Sequence, residues 1–599
     1  MTIFLAALGA SAENVTKALE QRLCHALKPA GTATLMRRGR LAVARVDLGL
    51  WPGPCVAESE LNWLLMAGDP VLGDSAGGSL SRPDSIRRLA TDLQCPGLAP
   101  FRQLEGTCCG LAFDASRDTL IAFTDKLGVR PLYWANVGGV TYLSSALWLL
   151  ESLESIPLEP DWLGAAETAC FGFPLADRTI HCAIKTLPSG SALVMQGGAV
   201  EVVRYWDWAA LAENPVRGEA LVRQVRDAFD TAVAARVDGQ KHVMAFLSGG
   251  LDSRLIAARL RHAGAEVSTL NFAPQGTQDL LLGRAAAQAL GTRHSEFTSG
   301  GDNFAQRHDG AIADWRTACA DRSLWPDHPG LVWSGDGGSV ALGHVYLSEE
   351  VVRAARSQDG ITAAANTIAV QNRLGLTPHL FTPRWRHLSK AHLRGIEADL
   401  ASRPNVEPGR NSHLFFMLND QRRHLAGHFE RIHLKGFDLV LPFFDGRFVA
   451  TVLSSQVDPF LGHGLYNELM ASLPGPITQV PWQSYPGHHP GPVPVPSGLR
   501  KQWGDGWYDA ITTRRQRRTF LWGSLRGLTS LSFPSDVLNR TKLLASLASG
   551  LVGVKRFTYM VENTVPFLRA WSRRRLAPKW SKGERAGRSV ADHSAQEQV

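Results

Sequence analysis

The period of the hydrophobic pattern changes sharply between residues 243 and 260. The stretch begins as VMAFL, a continuous apolar run that is typical of a strand buried on both faces of a parallel sheet. From Leu251 onwards, apolar residues recur at helical spacing, at Leu255, Ile256 and Leu260. The pattern therefore predicts a strand, a tight turn and an amphipathic helix in direct succession.

The turn between this strand and helix, SGGLDS, has the composition of an anion-binding site. Gly249 and Gly250 lack a Cβ, so successive N–H groups can approach an anion at the positive end of the helix. Ser248 and Ser253 add hydroxyl donors. Asp252 would repel a phosphate, but it is suited to hold a magnesium ion that bridges phosphate oxygens. The turn thus predicts a Mg-nucleotide site; the alternative is a glycine-rich turn with a serine cap.

The remaining pattern divides the chain into three regions. Residues 1–205 contain short strands and turns, including a hairpin signal across Gly197-Gly198 in ALVMQGGAVEVVRYW. From about residue 216, long helical patterns alternate with strands, which indicates a parallel α/β sheet over residues 206–495. Its nucleotide turn follows the carboxyl end of a strand, where open sheets bind ligands. We predict a helical, basic extension at 496–599 with a disordered tail.

Composition narrows the class of protein without identifying it. The 599 residues are 44% hydrophobic and 20% charged, as in a globular protein of two or three domains. The eight cysteines form no C-x-x-C pair, so neither a zinc site nor a disulfide framework is expected. The apolar start lacks a basic leader, and no run of about 20 apolar residues follows. We expect a cytoplasmic protein without a transmembrane segment.

The formal net charge is +8, and much of the excess arginine lies late in the chain, at 514–518 and 573–575. Nucleic acid or an anionic membrane surface are alternatives for such a patch. No aromatic-interleaved recognition pattern accompanies the arginines, so a solvated basic face is favoured and no nucleic-acid partner is expected.

Several stretches resemble motifs of the asparagine synthetase family, in the family's order, over roughly residues 1 to 490. In the second half these are TQDLLLGRAAAQALGTRH at 277–294, WSGDGG at 333–338 and LPFFDGRFV at 441–449. In the first half they are IKTLPSGSALVM at 184–195 and RYWDW at 204–208. The glutaminase signature of the family is matched by Asp125, Gly128, Arg130, Pro131, Leu132 and Tyr133.

The resemblance implies a specific fold and nucleotide site. The first domain would be an α+β N-terminal nucleophile domain, glutaminase-like with four αββα layers. The second would be an α/β PP-loop ATP pyrophosphatase domain with a parallel sheet. ATP would contact Leu247, Ser248, Gly249, Gly250, Leu251, Asp252, Ser253, Phe272, Pro274, Ser334 and Gly335. Asp252 would hold Mg²⁺, and Asp336 would stand where the family has an acidic catalytic residue.

The first domain departs from the family at the glutamine site. The family's nucleophile is a cysteine after the initiator methionine, but this chain has Thr2. The family's asparagine-glycine-glutamate-isoleucine motif is replaced by residues 67–70, which include Asp69, and Asp84 is matched to the aspartate that holds the glutamine amine. A threonine nucleophile is one alternative. Because the surrounding pocket has also changed, we predict a remnant that does not release ammonia.

The second domain departs at two charged positions. An acidic pair expected after the second nucleotide loop is Ser339-Val340 here, which removes one magnesium ligand. The family's late lysine, which stabilises charge in the transition state, falls at His463 or Gly464. A protonated His463 would replace that lysine in part; a histidine without this role is the alternative.

The resemblance implies an ATP-dependent carbon–nitrogen ligase that forms AMP and pyrophosphate. It would adenylate a carboxylate with ATP and Mg²⁺ and then transfer an amine, either free ammonia or an amine of a larger substrate. Amide or macrolactam formation on a peptide, a sugar acid or another biosynthetic intermediate is an alternative. A catalytically inactive nucleotide-binding scaffold is a third reading, and a homodimer is a candidate assembly.

Overall fold

The protein is described here from a computed structural model. The residues that the structure describes are 2–9, 33–58, 62–74, 78–93, 97–297, 304–319, 325–343, 347–485, 487–501, 510–554 and 556–576. The predicted disordered tail after residue 576 lies outside them. No helix in these ranges is long and apolar enough to cross a membrane.

Twelve strands in residues 2–204 form two antiparallel sheets. They are β1 (Thr2–Leu8), β2 (Thr34–Arg38), β3 (Leu41–Asp47), β4 (Val56–Glu58), β5 (Asn62–Gly68), β6 (Cys108–Asp114), β7 (Thr119–Thr124), β8 (Tyr133–Val137), β9 (Val140–Ser144), β10 (Lys185–Thr186), β11 (Ser191–Gln196) and β12 (Ala199–Arg204). Among the described residues, one sheet has the order β10-β8-β9-β1-β3-β2 and the other β12-β11-β7-β6-β5-β4. The central strand β1, TIFLAAL, is buried at every position. The predicted hairpin at Gly197-Gly198 is confirmed as β11–β12.

Five strands farther along the chain form a parallel sheet. They are β13 (His242–Phe246), β14 (Glu266–Asn271), β15 (Arg293–Glu296), β16 (Leu331–Trp333) and β17 (Asp438–Val440). The order in the described chain is β15-β14-β13-β16-β17, and every pairing is parallel. β14 and β15 therefore lie on one side of β13, and β16 and β17 lie on the other side. This reversal opens a crevice at the carboxyl ends of β13, β14 and β16.

The helices surround these sheets and extend beyond them. They are α1 (Arg82–Asp92), α2 (Leu147–Glu151), α3 (Trp162–Phe171), α4 (Gly218–Val237), α5 (Asp252–His262), α6 (Gln278–Leu290), α7 (Phe304–Ala318), α8 (Gly338–Ala341), α9 (Glu349–Ala355), α10 (Gly360–Gln371), α11 (Ala391–Ala401), α12 (Pro408–Glu430), α13 (Ile432–Lys435), α14 (Gly446–Ser454), α15 (Gly464–Ala471), α16 (Ala510–Thr529), α17 (Arg540–Leu551), α18 (Thr558–Glu562) and α19 (Val565–Leu576). Short 3₁₀ helices occur at Ala99–Gln103, Trp208–Ala210, Pro378–Leu380, Pro383–Lys390, Pro442–Phe444, Asp458–His463 and Pro476–Gln479.

One large hydrophobic core runs from the antiparallel sheets into the parallel sheet. A second core joins the C-terminal helices α16–α19 to α3 and to the 3₁₀ helix Pro383–Lys390. In it, Trp162 stacks on Phe567 and Trp571 at ring-centroid distances of 6.3 and 6.0 Å. The predicted α+β first half and parallel α/β second half are confirmed. The four-layer arrangement and the domain boundaries stay predictions.

Candidate functional site

A cavity of about 240 Å³ lies in the crevice at the carboxyl edge of the parallel sheet. It is lined by the ends of β13 and β14, the SGGLDS turn, the WSGDGG loop after β16 and residues from 483 and 485. The apolar strand places the turn at this edge, because β13 ends at Phe246 and α5 begins at Asp252. The predicted strand, turn and helix are confirmed.

Internal hydrogen bonds hold the turn in the shape of a cradle. The Ser248 N–H donates to Ser253 Oγ at 2.9 Å, and the Gly250 N–H donates to Ser248 Oγ at 3.2 Å. The Gly249 N–H donates to Asp279 Oδ1 at 2.8 Å, which ties the turn to α6. A Cβ at Gly249 would lie 2.8 Å from the Gln278 carbonyl oxygen, so only glycine fits this approach.

Asp252 lines the cavity, and its carboxylate is held by hydroxyl groups. Ser339 Oγ donates to Asp252 Oδ2 at 2.9 Å, and the Tyr466 hydroxyl donates to Oδ1 at 2.9 Å. Burial raises the pKa of Asp252 to about 6, the two hydroxyl bonds lower it, and the charge of Asp336 raises it. Ser339 thus replaces the expected acidic residue with a donor that orients Asp252.

The second nucleotide loop packs directly against Asp252. A Cβ at Gly335 would lie 2.8 Å from Asp252 Cβ, and one at Gly338 would lie 2.6 Å from Asp252 Cγ. Ser334 Oγ donates to Asp336 Oδ2 at 2.6 Å, so the predicted acidic residue is fixed at the cavity wall. The two loops, 86 residues apart at their serines, form one wall.

A methyl group at Gly335 is therefore expected to distort the cradle. In Gly335→Ala the new Cβ meets Asp252 Cβ and, at 2.9 Å, the Ser253 backbone nitrogen. Overpacking of this kind costs about 1–3 kcal/mol, so the Kd for Mg-ATP should rise at least about fivefold in calorimetric titration. Gly427→Ala, where a Cβ meets nothing within 4 Å, should leave Kd unchanged. Equal affinities in the two variants would contradict the packing described.

Arg254 binds the segment at residues 480–485, which contributes to the cavity wall. The guanidinium is fully buried and donates to the carbonyl oxygens of Val480 and Pro481 at 2.7 and 2.9 Å. Burial lowers the pKa of Arg254 to about 9. The segment then delivers Gln483 and Tyr485 to the cavity wall, and the Gln483 N–H donates to the Gly249 carbonyl at 3.0 Å.

His463 lies behind the cavity wall. It is buried, with a positive φ of 62°, and its ring contacts Tyr466 and Tyr485. Its Nδ1 lies 3.2 Å from His488 Nδ1. The structure therefore joins His463 to the site through two tyrosines, one of which holds Asp252.

The sequence predictions account for most, but not all, of the cavity wall. Nine predicted nucleotide residues and Asp336 line it, whereas Gly249 contributes the tight backbone approach described above, and Pro274 is absent from the lining. Sequence reasoning missed Asn271, Asp279, Ser339, Tyr466, Gln483 and Tyr485. Asp279 carried a signal as the acidic residue at the start of α6, but Gln483 and Tyr485 come from irregular chain. The predicted lining residues are Leu247, Ser248, Gly250, Leu251, Asp252, Ser253, Phe272, Ser334 and Gly335.

The residues at the cavity fit a magnesium nucleotide by their charge. The lining contains no lysine or arginine, and within the described chain neither Asp252 nor Asp336 forms a salt bridge. Two neighbouring carboxylates without a cationic partner repel each other, and a divalent cation would relieve that repulsion. The N-terminus of the 11-residue α5 lies at the same cavity, where Asp252 and Ser253 line the wall.

Thr2, the residue matched to the family's nucleophile, is buried. It is 0% exposed at the start of β1, where it pairs with Asp47 of β3. It interacts with Cys55, whose pKa is raised mainly by burial. Arg45 Nη1 also donates to Cys55 Sγ at 2.8 Å. Among the described residues, the Thr2 side chain is therefore packed into the first half of the chain.

Asp69 and Asp84 do not lie together in a pocket. The Asp69 carboxylate lies 3.1 Å from Arg236 Nε of α4, and burial raises its pKa. Asp84 is on the exposed first turn of α1, where it pairs with Arg87 and accepts from Ser81 Oγ at 2.5 Å. The neighbouring Arg82 has other partners and donates to the Gly68 and Pro52 carbonyls at 2.9 and 2.8 Å. The match of Asp84 to an amine-holding aspartate stays an unsupported prediction.

Buried ion pairs join the first half of the chain to the second. Arg130, of the signature stretch at 125–133, donates to Asp438 Oδ2 of β17 at 2.7 Å, and Trp51 Nε1 donates to the same oxygen. Burial would raise the pKa of Asp438, but the Arg130 charge holds it below its ordinary value. Arg236 pairs with Asp445 at 2.9 Å as well as with Asp69. Residues matched to a glutamine site thus serve as interface contacts.

Comparison with known proteins agrees with this two-part arrangement. Residues 224–328 match the family described as asparagine synthase, and residues 91–206 match the glutamine amidotransferase domain. A putative asparagine synthetase [glutamine-hydrolyzing] of Mycobacterium tuberculosis is 24% identical over 272 residues, 42% of this chain and 42% of that protein. The chain thus aligns with less than half the length of this relative.

Two other relatives match shorter stretches. The carboxyethyl-arginine beta-lactam-synthase of Streptomyces clavuligerus is 30% identical over 186 residues, 30% of this chain and 33% of that protein. Asparagine synthetase [glutamine-hydrolyzing] 2 of Arabidopsis thaliana is 30% identical over 209 residues, 32% of this chain and 30% of that protein. A glutamine phosphoribosylpyrophosphate amidotransferase structure from B. subtilis has 12% identity and a TM-score of 0.25, covering 54% of this chain and 94% of that chain.

Proposed function

This chain belongs to the asparagine synthetase family, and on that premise we propose that it is an ATP-dependent amide-forming ligase without glutaminase activity of its own. The observation that carries the proposal is the convergence of the SGGLDS cradle, the second loop and the Ser339 and Tyr466 hydroxyls on Asp252. The proposed substrates are a carboxylate, ATP and an amine. AMP, pyrophosphate and an amide are the products.

The proposed reaction has two steps, adenylation of the carboxylate and transfer of the amine. The cavity residues named above act in the adenylation. A carboxylate oxygen attacks the α-phosphorus of ATP, the bond to pyrophosphate breaks, and an acyl-adenylate forms. The N-terminus of α5 orients the phosphates, while Asp252 is the residue suited to hold Mg²⁺. Bound Mg²⁺ would neutralise charge on the phosphate oxygens. The amine nitrogen then attacks the acyl carbon, AMP leaves, and the nitrogen loses a proton.

His463 and Asp336 have different proposed roles. Asp336 is at the cavity wall, so we assign it to the chemistry beside Asp252. His463 contacts Tyr466 and Tyr485 instead, so we assign it a positioning role through those side chains. The cavity lining has no basic residue, which leaves the tetrahedral intermediate without the lysine that the resemblance led us to expect.

The test is ATP–pyrophosphate exchange against a panel of carboxylates that includes aspartate, amino acids, peptides and sugar acids. Exchange that needs one class of carboxylate would identify the substrate and support the ligase. Nucleotide binding without exchange for any carboxylate would favour the inactive scaffold instead. The cytoplasmic location and the homodimer stay predictions.

A substrate that carries its own amine is a second candidate. The buried Thr2 and the Arg236–Asp69 pair leave no evident route for ammonia made in the first half of the chain. The Streptomyces clavuligerus relative is described as a beta-lactam synthase, which favours ring closure as an alternative to intermolecular amidation. Mass spectrometry of the product separates the two, because ring closure lowers the substrate mass by one water and needs no added ammonium.

We expect no release of ammonia from glutamine. The Thr2 hydroxyl is fully buried, and Arg82 bonds occupy the carbonyls of the adjacent turn. A coupled ammonia assay should give the same background rate for the wild type and for Thr2→Ala. Ammonia release that the Thr2→Ala substitution removes would contradict the proposal that the first half is inactive.

A further inference from the structure

The C-terminal extension accounts for the net positive charge of the protein. Residues 497–599 contain 19 lysines and arginines against seven aspartates and glutamates, a net charge of +12. The chain as a whole is only +8, so residues 1–496 are net negative. The extension is therefore a basic module attached to an acidic body.

The same extension also exposes an unusual share of large apolar side chains. Of eleven such exposed side chains in the described part of the chain, six lie between residues 522 and 559. Four of them form one loop tip at the end of α17, where Val552 is 81% exposed, Val554 49%, Phe557 41% and Tyr559 41%. We call residues 551–559 the apolar tip.

Basic and aromatic groups border the apolar tip. Arg556 is in the tip and lies 5.5 Å over the Phe557 ring. On α16, the exposed Trp522 lies between the exposed Arg518 and Arg526, one helical turn away on either side. A Cβ at Gly550 would lie 2.9 Å from Leu521, so this turn of α16 packs beside the tip. Within the described residues, none of these three arginines has an acidic partner in a salt bridge.

We propose that the apolar tip and the neighbouring face of α16 dock on an anionic lipid bilayer. The transfer of aliphatic and aromatic side chains from water to the acyl region lowers the free energy, and flanking arginines keep their charges at the headgroups. Anionic lipids add attraction for a segment of this charge. A nucleic acid would also attract the arginines, but it would not bury the apolar side chains of Val552 and Val554. This difference favours a lipid bilayer.

Flotation of the full chain with vesicles tests this docking. The protein should float with mixed phosphatidylcholine–phosphatidylglycerol vesicles far more than with phosphatidylcholine alone, and high salt should weaken the binding. The variant Val552→Ser/Val554→Ser/Phe557→Ser should lower the partition coefficient of the protein between vesicles and water at least about tenfold. The matched control Val370→Ser/Leu434→Ser, which removes exposed apolar side chains elsewhere, should bind as the wild type does.

Four results would overturn the proposal. One is no flotation with either vesicle. The second is flotation that the triple tip variant does not reduce, and the third is binding to single-stranded DNA in place of vesicles, since either would mean that charge alone acts. The fourth is a wild-type dimer that the tip variant converts to a monomer in light scattering, which would assign the tip to a second copy of the chain. Circular dichroism of the variant checks its fold.

Discussion

Asp252→Asn should reduce ATP–pyrophosphate exchange by at least about a hundredfold while leaving the protein folded. The substitution keeps the shape of the side chain, and the remaining oxygen, at the Oδ1 position, can still accept from Ser339 at 3.1 Å and from Tyr466 at 2.9 Å. It removes the charge that would hold Mg²⁺ in a cavity without lysine or arginine. Exchange is measured with labelled pyrophosphate at saturating ATP and the best carboxylate of the panel.

The matched control for this experiment is Asp230→Asn. Asp230 is on α4 and pairs with Arg259 on the far part of α5, outside the cavity. Its loss should leave exchange within about twofold of the wild type, because it touches no lining residue. Full activity in Asp252→Asn would refute the assignment of Asp252 to the metal, and activity lost equally in both variants would indicate a general effect on α5.

Asp438→Asn should lower the free energy of unfolding by about 3–5 kcal/mol, since it leaves the buried Arg130 charge without its partner. Calorimetry or urea unfolding measures the change. The pKa of Asp438 is held low in the folded protein, so its stabilisation is present above the ordinary carboxyl pKa and lost as pH falls. The wild type should therefore lose more stability in acid than the variant does.

An exposed ion pair supplies the comparison for Asp438. Asp92→Asn breaks the Arg88–Asp92 pair on α1, which is solvent-exposed, and should cost at most about 1 kcal/mol. The double variant Arg130→Met/Asp438→Leu removes both buried charges and should be more stable than Asp438→Asn. A loss no greater than that of Asp92→Asn would show that the interface pair does not stabilise the folded chain.

The strand, turn and helix of the candidate site could be predicted from the sequence because they are contiguous. One strand, one glycine-rich turn and one helix within 18 residues specify both the fold of the cradle and its place at the sheet edge. The WSGDGG loop could be identified because it resembles a motif of the asparagine synthetase family. Residues that act on Asp252 from far along the chain, such as Tyr466 at a separation of 214 residues, leave no local pattern.

The roles of matched residues in the first half were harder to predict. Arg130 and Asp69 occupy family motifs, yet their partners are Asp438 and Arg236, which the sequence does not mark as contacts. Ser339 was read as a lost metal ligand, whereas its hydroxyl orients Asp252. In each case the residue type is visible in the sequence, but its partner depends on tertiary packing: between the two halves for Arg130 and Asp69, and between two loops of the second half for Ser339.

The shortness of β17 has a mechanical consequence. Asp438, its first residue, is bound to Arg130 of the first half, and the carbonyl of Val440, its last residue, accepts from the Ser334 N–H at 3.1 Å. A strand of three residues therefore links the interface to the loop that packs on Asp252. A displacement of the first half would be transmitted to the WSGDGG loop through this strand, so the position of the first half constrains the position of the loop.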